Sequence, residues 1–217
     1  MKIVITGGTG FIGRALCTTL IQGGHRVFVL TRQTGQVRHR PELPVQAVEW
    51  NAQDSGPWEQ VLEGADAVIN LAGASIADAR WTDVRKQLIT DSRILTTRLL
   101  VKAFSRWSSK PATFISASGI GYYGATDDRR LDEGAARGEG FLADLCLGWE
   151  SEALRAAEFG ARVVTLRTGM VLEQDGGALS KMLFPFRFFA GGPIMPGNQW
   201  VSWIHRRDHI GLIQWAL

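Results

Sequence analysis

Cysteine is scarce in this chain: Cys17 and Cys146 are the only two in 217 residues, both fall in predicted helices, and no metal-ligand spacing relates them. A disulfide scaffold or zinc knuckle is therefore not expected, and a reducing, cytoplasmic setting is. No apolar run is long enough to span a bilayer, and the first strand starts at Lys2, leaving no room for a signal peptide; we expect no membrane partner. A basic stripe is missing as well. The net charge of +3 is spread among 21 acids, which argues against a nucleic-acid partner. Repeats, low-complexity tracts and linkers are absent. With 45% apolar and 21% charged residues, the chain can bury one sizeable core.

Glycine is plentiful, at 25 residues, and its first cluster organises the rest. Met1 to Thr6 is an apolar, β-branched run that enters Gly7-Gly8-Thr9-Gly10-Phe11-Ile12-Gly13-Arg14 and leaves as a helix with Phe11, Ile12, Ala15, Leu16 and Leu20 at helical spacing. Gly8, Gly10 and Gly13 fit the dinucleotide fingerprint, in which backbone N–H groups at a helix start receive a pyrophosphate. Arg26 to Thr31 reads as a second strand, parallel to the first. At its end, where an acid would bond the ribose of NAD, stands Arg32, about 20 residues past the glycines. An arginine there favours the extra phosphate of NADP(H), with Arg14 and either Arg38 or Arg40 able to assist.

Strands and helices then alternate. Val45 to Trp50 is a predicted strand leading to a polar loop at Asn51, which is expected to border the adenine. Ala67 to Gly73 is a buried strand whose small end, Leu71-Ala72-Gly73, should line the phosphate and ribose side. A helix from Trp81 to Trp107 carries Leu88, Ser92, Leu95, Leu99 and Ala103 on one face, where Ser92 either bonds within the core or faces the cleft. Ala112 to Ser118 is the next strand, opening into Gly119-Ile120-Gly121-Tyr122-Tyr123-Gly124, the carboxyl end where substrate chemistry would sit. Predicted helices at Phe141–Phe159 and Leu179–Ala190 flank a strand at Arg162–Arg167. A strand at Trp200–Ile204 and a helix from Asp208 follow. His205 and His209 lie one helical turn apart without a carboxylate general base between them, so no metal is expected. The last helix shows Leu212, Ile213 and Trp215, a face expected to be covered by further residues or by a partner subunit, as in a homodimer.

Thr6-Gly7-Gly8-Thr9-Gly10-Phe11-Ile12-Gly13 resembles the extended short-chain dehydrogenase/reductase superfamily of nucleotide-sugar epimerases and dehydratases. Asn70-Leu71-Ala72-Gly73, Arg80-Trp81-Thr82, Asp91-Ser92-Arg93, Ser116-Ala117-Ser118, Gly121-Tyr122-Tyr123-Gly124, Trp149-Glu150 and Trp203-Ile204-His205 resemble its atypical epimerase-family branch. The resemblance covers essentially the whole chain. It implies an α/β fold, a Rossmann-type doubly wound parallel sheet with helices on both faces, over residues 1–170. Residues 171–217 would begin a small carboxyl-terminal substrate lobe. Gly7, Gly10, Phe11, Ile12, Gly13, Arg14, Arg32, Asn51, Leu71, Ala72, Gly73 and Ser116 are then the candidate cofactor residues.

The superfamily's chemistry uses a tyrosine as general acid/base and a lysine four residues on. This chain lacks that pair. Tyr122 and Tyr123 are its only tyrosines, and no lysine occurs between Lys110 and Lys181. The helix expected to carry the pair has Cys146 and Glu150 at that spacing, where a carboxylate would raise a thiol's pKa, and both are read as structural. Ser118 is the candidate for the usual serine. Tyr122 or Tyr123 either donates the proton or forms an aromatic wall; without a lysine, a donor tyrosine should keep a pKa of about 10 and favour reduction over oxidation. Two functions stay open. One is an NADP(H)-dependent oxidoreductase or epimerase acting on an unknown small carbonyl or sugar-like substrate; the other is an NADPH-binding redox-sensing or interaction protein with little turnover.

Overall fold

The structure is a computed structural model that describes residues 1–35, 45–192, 197 and 199–217. Strand β1 (Lys2–Thr6) leads to helix α1 (Phe11–Gln22), β2 (Arg26–Thr31), β3 (Gln46–Glu49) and β4 (Ala67–Asn70). After α2 (Asp83–Phe104) come β5 (Thr113–Gly119), α3 (Phe141–Leu154) and β6 (Arg162–Thr168). These six strands form one sheet in the order β3-β2-β1-β4-β5-β6, parallel at every pairing. That order is a doubly wound Rossmann sheet, and the chain reverses direction across it between β1 and β4, where such sheets bind ligands.

Strand alternation explains why both faces are covered. Ile3 and Ile5 point to one face and pack with Leu16 and Leu20 of α1, whereas Val4 points to the other and packs with Leu100 and Phe104 of α2. Each layer buries its own core, with Phe104 and Phe114 edge to face at 5.6 Å between ring centroids. Cys17 is buried in the α1 layer, and burial pushes its thiol up to about 12, which makes it inert at neutral pH.

Helix α2 starts at Thr82, whose hydroxyl accepts from the Arg85 N–H. Its buried face differs from the expected one: Ile89, Thr96, Thr97, Leu100, Val101, Ala103 and Phe104 point inward, while Leu88 and Leu95 are exposed. The hydrophobic pattern is blurred because two threonines, Thr96 and Thr97, occupy core positions. A 3-10 turn over Ile120–Tyr123 stands where a loop was expected, and another over Arg155–Phe159 ends the α3 region.

Beyond β6 a second sheet appears, formed by β7 (Met170–Glu173), which sequence reading missed, and β8 (Trp203–His205), paired in parallel. Helix α4 (Gly177–Phe186) and helix α5 (Arg206–Ala216) complete the chain. In α5 the expected apolar face is corrected: Ile213 is fully buried against the α1 layer with Ile210, and only Leu212 and Trp215 of the three point outward. A period of three from Ile210 sets this, since Ile213 and Ala216 share its side of the helix. No helix among the described residues is long and apolar enough to cross a membrane.

Candidate functional site

The glycine turn between β1 and α1 is shaped for backbone approach. Gly7 has φ +69, and a Cβ there would stand 2.7 Å from the carbonyl group of Leu71. A Cβ at Gly13 would stand 2.2 Å from Gly7 O, so only glycine lets the helix start so close to the strand. The turn closes through Gly10 N–H donating to Gly7 O at 3.0 Å, and the first helical bond runs from Arg14 N–H to Gly10 O. The N–H groups of Phe11, Ile12 and Gly13 precede that bond, with no capping side chain and no acid in the first turn. Three donors at a positive helix end fit a pyrophosphate.

Arg14 and Arg32 are exposed, and neither guanidinium has a partner among the described residues. Arg38 and Arg40 lie outside the described residues. The donor set suits a dinucleotide with an additional phosphate on its ribose. Leu71 and Ala72 lie against the turn, the Ala72 N–H donating to Thr6 Oγ1 at 3.2 Å.

Three other candidate cofactor residues have side-chain partners within the protein. The Phe11 ring lies against Gly176 and Gly177 and below the Arg206 guanidinium at 4.8 Å, so its side chain ties the loop to the α4 region. Asn51 closes its own loop, its Oδ1 accepting from the Gln53 and Asp54 N–H groups; both its polar ends are occupied within that turn. Ser116 is fully buried. It belongs to a ladder across three strands, where Thr6 Oγ1 donates to Asn70 Oδ1 at 2.7 Å and Asn70 Nδ2 donates to Thr97 Oγ1 at 2.8 Å and lies 3.5 Å from Ser116 Oγ. Trp149 Nε1 closes the network on Thr97 at 2.9 Å. Buried polar atoms must be partnered, which is why α2 turns Thr97 inward. Ser92 accepts from the Ala74 N–H at 3.0 Å and so pins the turn after β4.

At the carboxyl ends of β5 and β6 a second constellation forms. Ser118 and Arg167 are register neighbours, and Glu150 reaches down from α3 between them. Ser118 Oγ donates to Glu150 Oε1 at 2.6 Å, while Arg167 grips the same carboxylate with Nε at 2.9 Å and Nη2 at 2.8 Å. The remaining arm of the guanidinium, Nη1, donates to Tyr123 Oη at 3.0 Å. The Tyr122 ring lies 3.5 Å under the same guanidinium, with Tyr123 edge-on to it. The bond to Glu150 holds Arg167 well above its ordinary range. Tyr123 also lines a surface concavity of about 570 Å³ with Thr126, Leu131 and Gly138.

The structure thus gathers Ser118, Tyr122 and Tyr123, and adds Glu150 and Arg167, which sequence reading had not joined to them. A signal existed for both: Glu150 follows Trp149 directly in α3, and Arg167 stands near the carboxyl end of β6, where ligands bind. Cys146 neighbours Ser118, and burial raises its thiol, with Glu150 contributing in the same direction. His205 pairs with Glu173, and His209 Nε2 bonds Thr168 Oγ1 at 2.9 Å. Among the described residues no three His, Cys, Asp or Glu side chains are grouped to hold a metal.

The NAD dependent epimerase/dehydratase family model matches residues 3–217 of this chain. The chain is 39% identical over its whole length to the chloroplastic epimerase family protein SDR39U1 homologue of Arabidopsis thaliana, of which it covers 62%. It is also 39% identical to the epimerase family protein YfhF of Bacillus subtilis, covering 70% of that protein. Among solved structures, human epimerase family protein SDR39U1 (isoform 2) with NADPH superposes with a TM-score of 0.82 at 34% identity, over 99% of this chain and 69% of the human one.

Proposed function

Because the chain belongs to the NAD dependent epimerase/dehydratase family, we propose that it binds NADP(H) and acts as an oxidoreductase or epimerase on a small carbonyl or sugar-like compound, with Tyr123 as proton donor. The observation that carries this reading is the 3.0 Å bond from Arg167 Nη1 to Tyr123 Oη. In this reading the N–H groups of Phe11, Ile12 and Gly13 hold the pyrophosphate, and Arg32 and Arg14 meet the ribose phosphate. The human relative's structure, solved with NADPH, supports that choice. When bound, the cofactor supplies or accepts a hydride.

The chain's own residues handle the proton. Arginine has donors only, so Tyr123 accepts from it and keeps its phenolic O–H free to give away. The guanidinium charge then stabilises the negative charge left on the phenol oxygen. Arg167 thereby takes the place of the missing lysine, approaching from β6 instead of from α3. Ser118 commits its proton to Glu150 and has only lone pairs to offer, which suits a substrate hydroxyl better than a carbonyl. Residues 171–217 are read as the start of the substrate lobe.

Removing a general acid costs about 10²–10⁴ in rate. NADPH oxidation screened over aldehydes, ketones and nucleotide sugars should therefore fall by that much in Tyr123→Phe, and by less in Tyr122→Phe, with NADPH affinity retained in both. Wild-type rates in Tyr123→Phe would reduce the tyrosines to a pocket wall. A protein that binds NADPH yet consumes it with no compound in the panel would support the second reading, a sensor or interaction protein, which the inward commitment of Ser118 favours.

A further inference from the structure

Arg93 of α2 is a charged group beside the turn after β4 that the proposed reaction does not use. A Cβ on Gly73 would stand 2.8 Å from its Cζ and 3.0 Å from its Nη2, so the guanidinium presses on the turn that follows β4. On its other side it lies 5.2 Å from the centre of the Trp149 ring. Its only hydrogen bond among the described residues runs from Nη1 to Ile89 O at 3.1 Å. Burial depresses its pKa, and Arg85 nearby adds to that, but a guanidinium keeps its charge in any protein setting.

Among the described residues no carboxylate is paired with it. Glu150 is spent on Arg167 and Ser118, Glu152 on Arg98 and Arg155, Asp78 on Lys181, and Asp91 takes the Gln87 amide. Among the described residues Arg85 hydrogen-bonds only Ser75 O, and its Nε is buried without a partner. Two cations on one helix thus flank the turn over residues 73–75, Arg85 with Asp78 in its field and Arg93 with no carboxylate paired to it among the described residues, and a desolvated charge without a counterion is costly unless a ligand supplies one. Cys146 connects this spot to the reacting end, since its thiol neighbours both Ser118 and Arg93. The α1 start, Arg14 and Arg32 lie at the ends of β1 and β2, so the cofactor's phosphates are already matched there.

We propose that Arg93, with Arg85 beside it, binds an oxyanion carried by the substrate, a carboxylate or phosphate close to the reacting carbon. This deepens the reductase reading and rests on it for the word substrate, whereas the oxyanion site itself does not require turnover. The test is calorimetry of the full chain, with and without saturating NADPH, using pyruvate against methyl pyruvate and glyceraldehyde 3-phosphate against glyceraldehyde. Wild type should bind at least one charged member about tenfold or more tighter than its neutral partner. Arg93→Gln should lose that preference while binding NADPH as wild type does, and Arg93→Lys should keep part of it, separating lost charge from lost fold. Absence of a charge preference in wild type, or its survival in folded Arg93→Gln, overturns the proposal. So does a tenfold loss of NADPH affinity in Arg93→Gln, which would make Arg93 a cofactor residue. Anion preference without any NADPH oxidation would sink the reductase reading and leave the oxyanion site standing.

Discussion

The two ends of the cleft are built from different materials. Around Gly7 to Arg14 the backbone makes the candidate site: N–H groups at a helix start, a glycine turn, and two arginines at the rim without partners among the described residues. Around Ser118 the side chains make it, with Glu150 and Arg167 holding each other and, through them, Ser118 and Tyr123. A backbone site is contiguous and tolerates exchange of its side chains apart from glycine. A side-chain site is drawn from four separate elements, β5, the 3-10 turn after it, α3 and β6, and its parts are energetically coupled. Damage should therefore stay local at the first end and spread at the second.

The largest effect expected from a stability measurement follows from that coupling. Arg167 and Glu150 are both mostly buried, at 18% and 8% side-chain exposure, and stripping one partner from such a pair leaves an uncompensated charge. Arg167→Met should cost about 3–5 kcal/mol in denaturant unfolding, whereas Arg167→Met with Glu150→Gln should recover most of it, because a neutral amide needs no counterion. Equal losses in the single and double variants would show that the pair does not act as a unit. At the backbone end, Arg32→Ala should leave stability unchanged within about 0.5 kcal/mol and weaken NADPH by about 1.5–3 kcal/mol, with NADH nearly unaffected. Calorimetry giving equal wild-type affinity for NADH and NADPH would remove Arg32 from the site.

The smallest effect concerns His209, at the β6 end. Burial holds its imidazole below its ordinary range, so on acidification the unfolded chain takes up the proton first. The stability its neutral form contributes is complete above about pH 6.5 and declines as pH falls through that value. The melting temperature should thus drop further between pH 7.5 and 5.5 in wild type than in His209→Gln, a difference worth at most about 1 kcal/mol. Parallel drops would mean that other groups set the acid limit.

The same contrast decides what the sequence made legible. The parallel sheet, its helices and the glycine turn follow from local periodicity and glycine spacing, which act over a few residues. Ser118, Tyr122 and Tyr123 were legible as candidates because they stand at a strand's carboxyl end. Their support was not, because Arg167 is 44 residues from Tyr123 in sequence and 17 from Glu150, and only the pairing of β5 with β6 brings them together. The absence of a lysine suggested an unsupported tyrosine; the sheet supplies an arginine from a neighbouring strand instead. The inward face of α2 was misjudged for a related reason. Thr96 and Thr97 are core residues, Thr97 because Asn70 and Trp149 need a partner, and a hydrophobic pattern carries no mark of that. Ile213 went astray because its helix alternates buried and exposed apolar residues, with Trp215 left in the open.

The most direct test of the central claim, that Arg167 supports Tyr123 in place of a lysine, is single-turnover NADPH oxidation by the Arg167→Met and Glu150→Gln double variant, with NADPH affinity measured on the same sample. The cation is then gone while the fold is kept. The expected result is an NADPH affinity within about twofold of wild type and a rate lower by about 10²-fold or more. A rate within twofold of wild type, with NADPH bound and the protein folded, would contradict it.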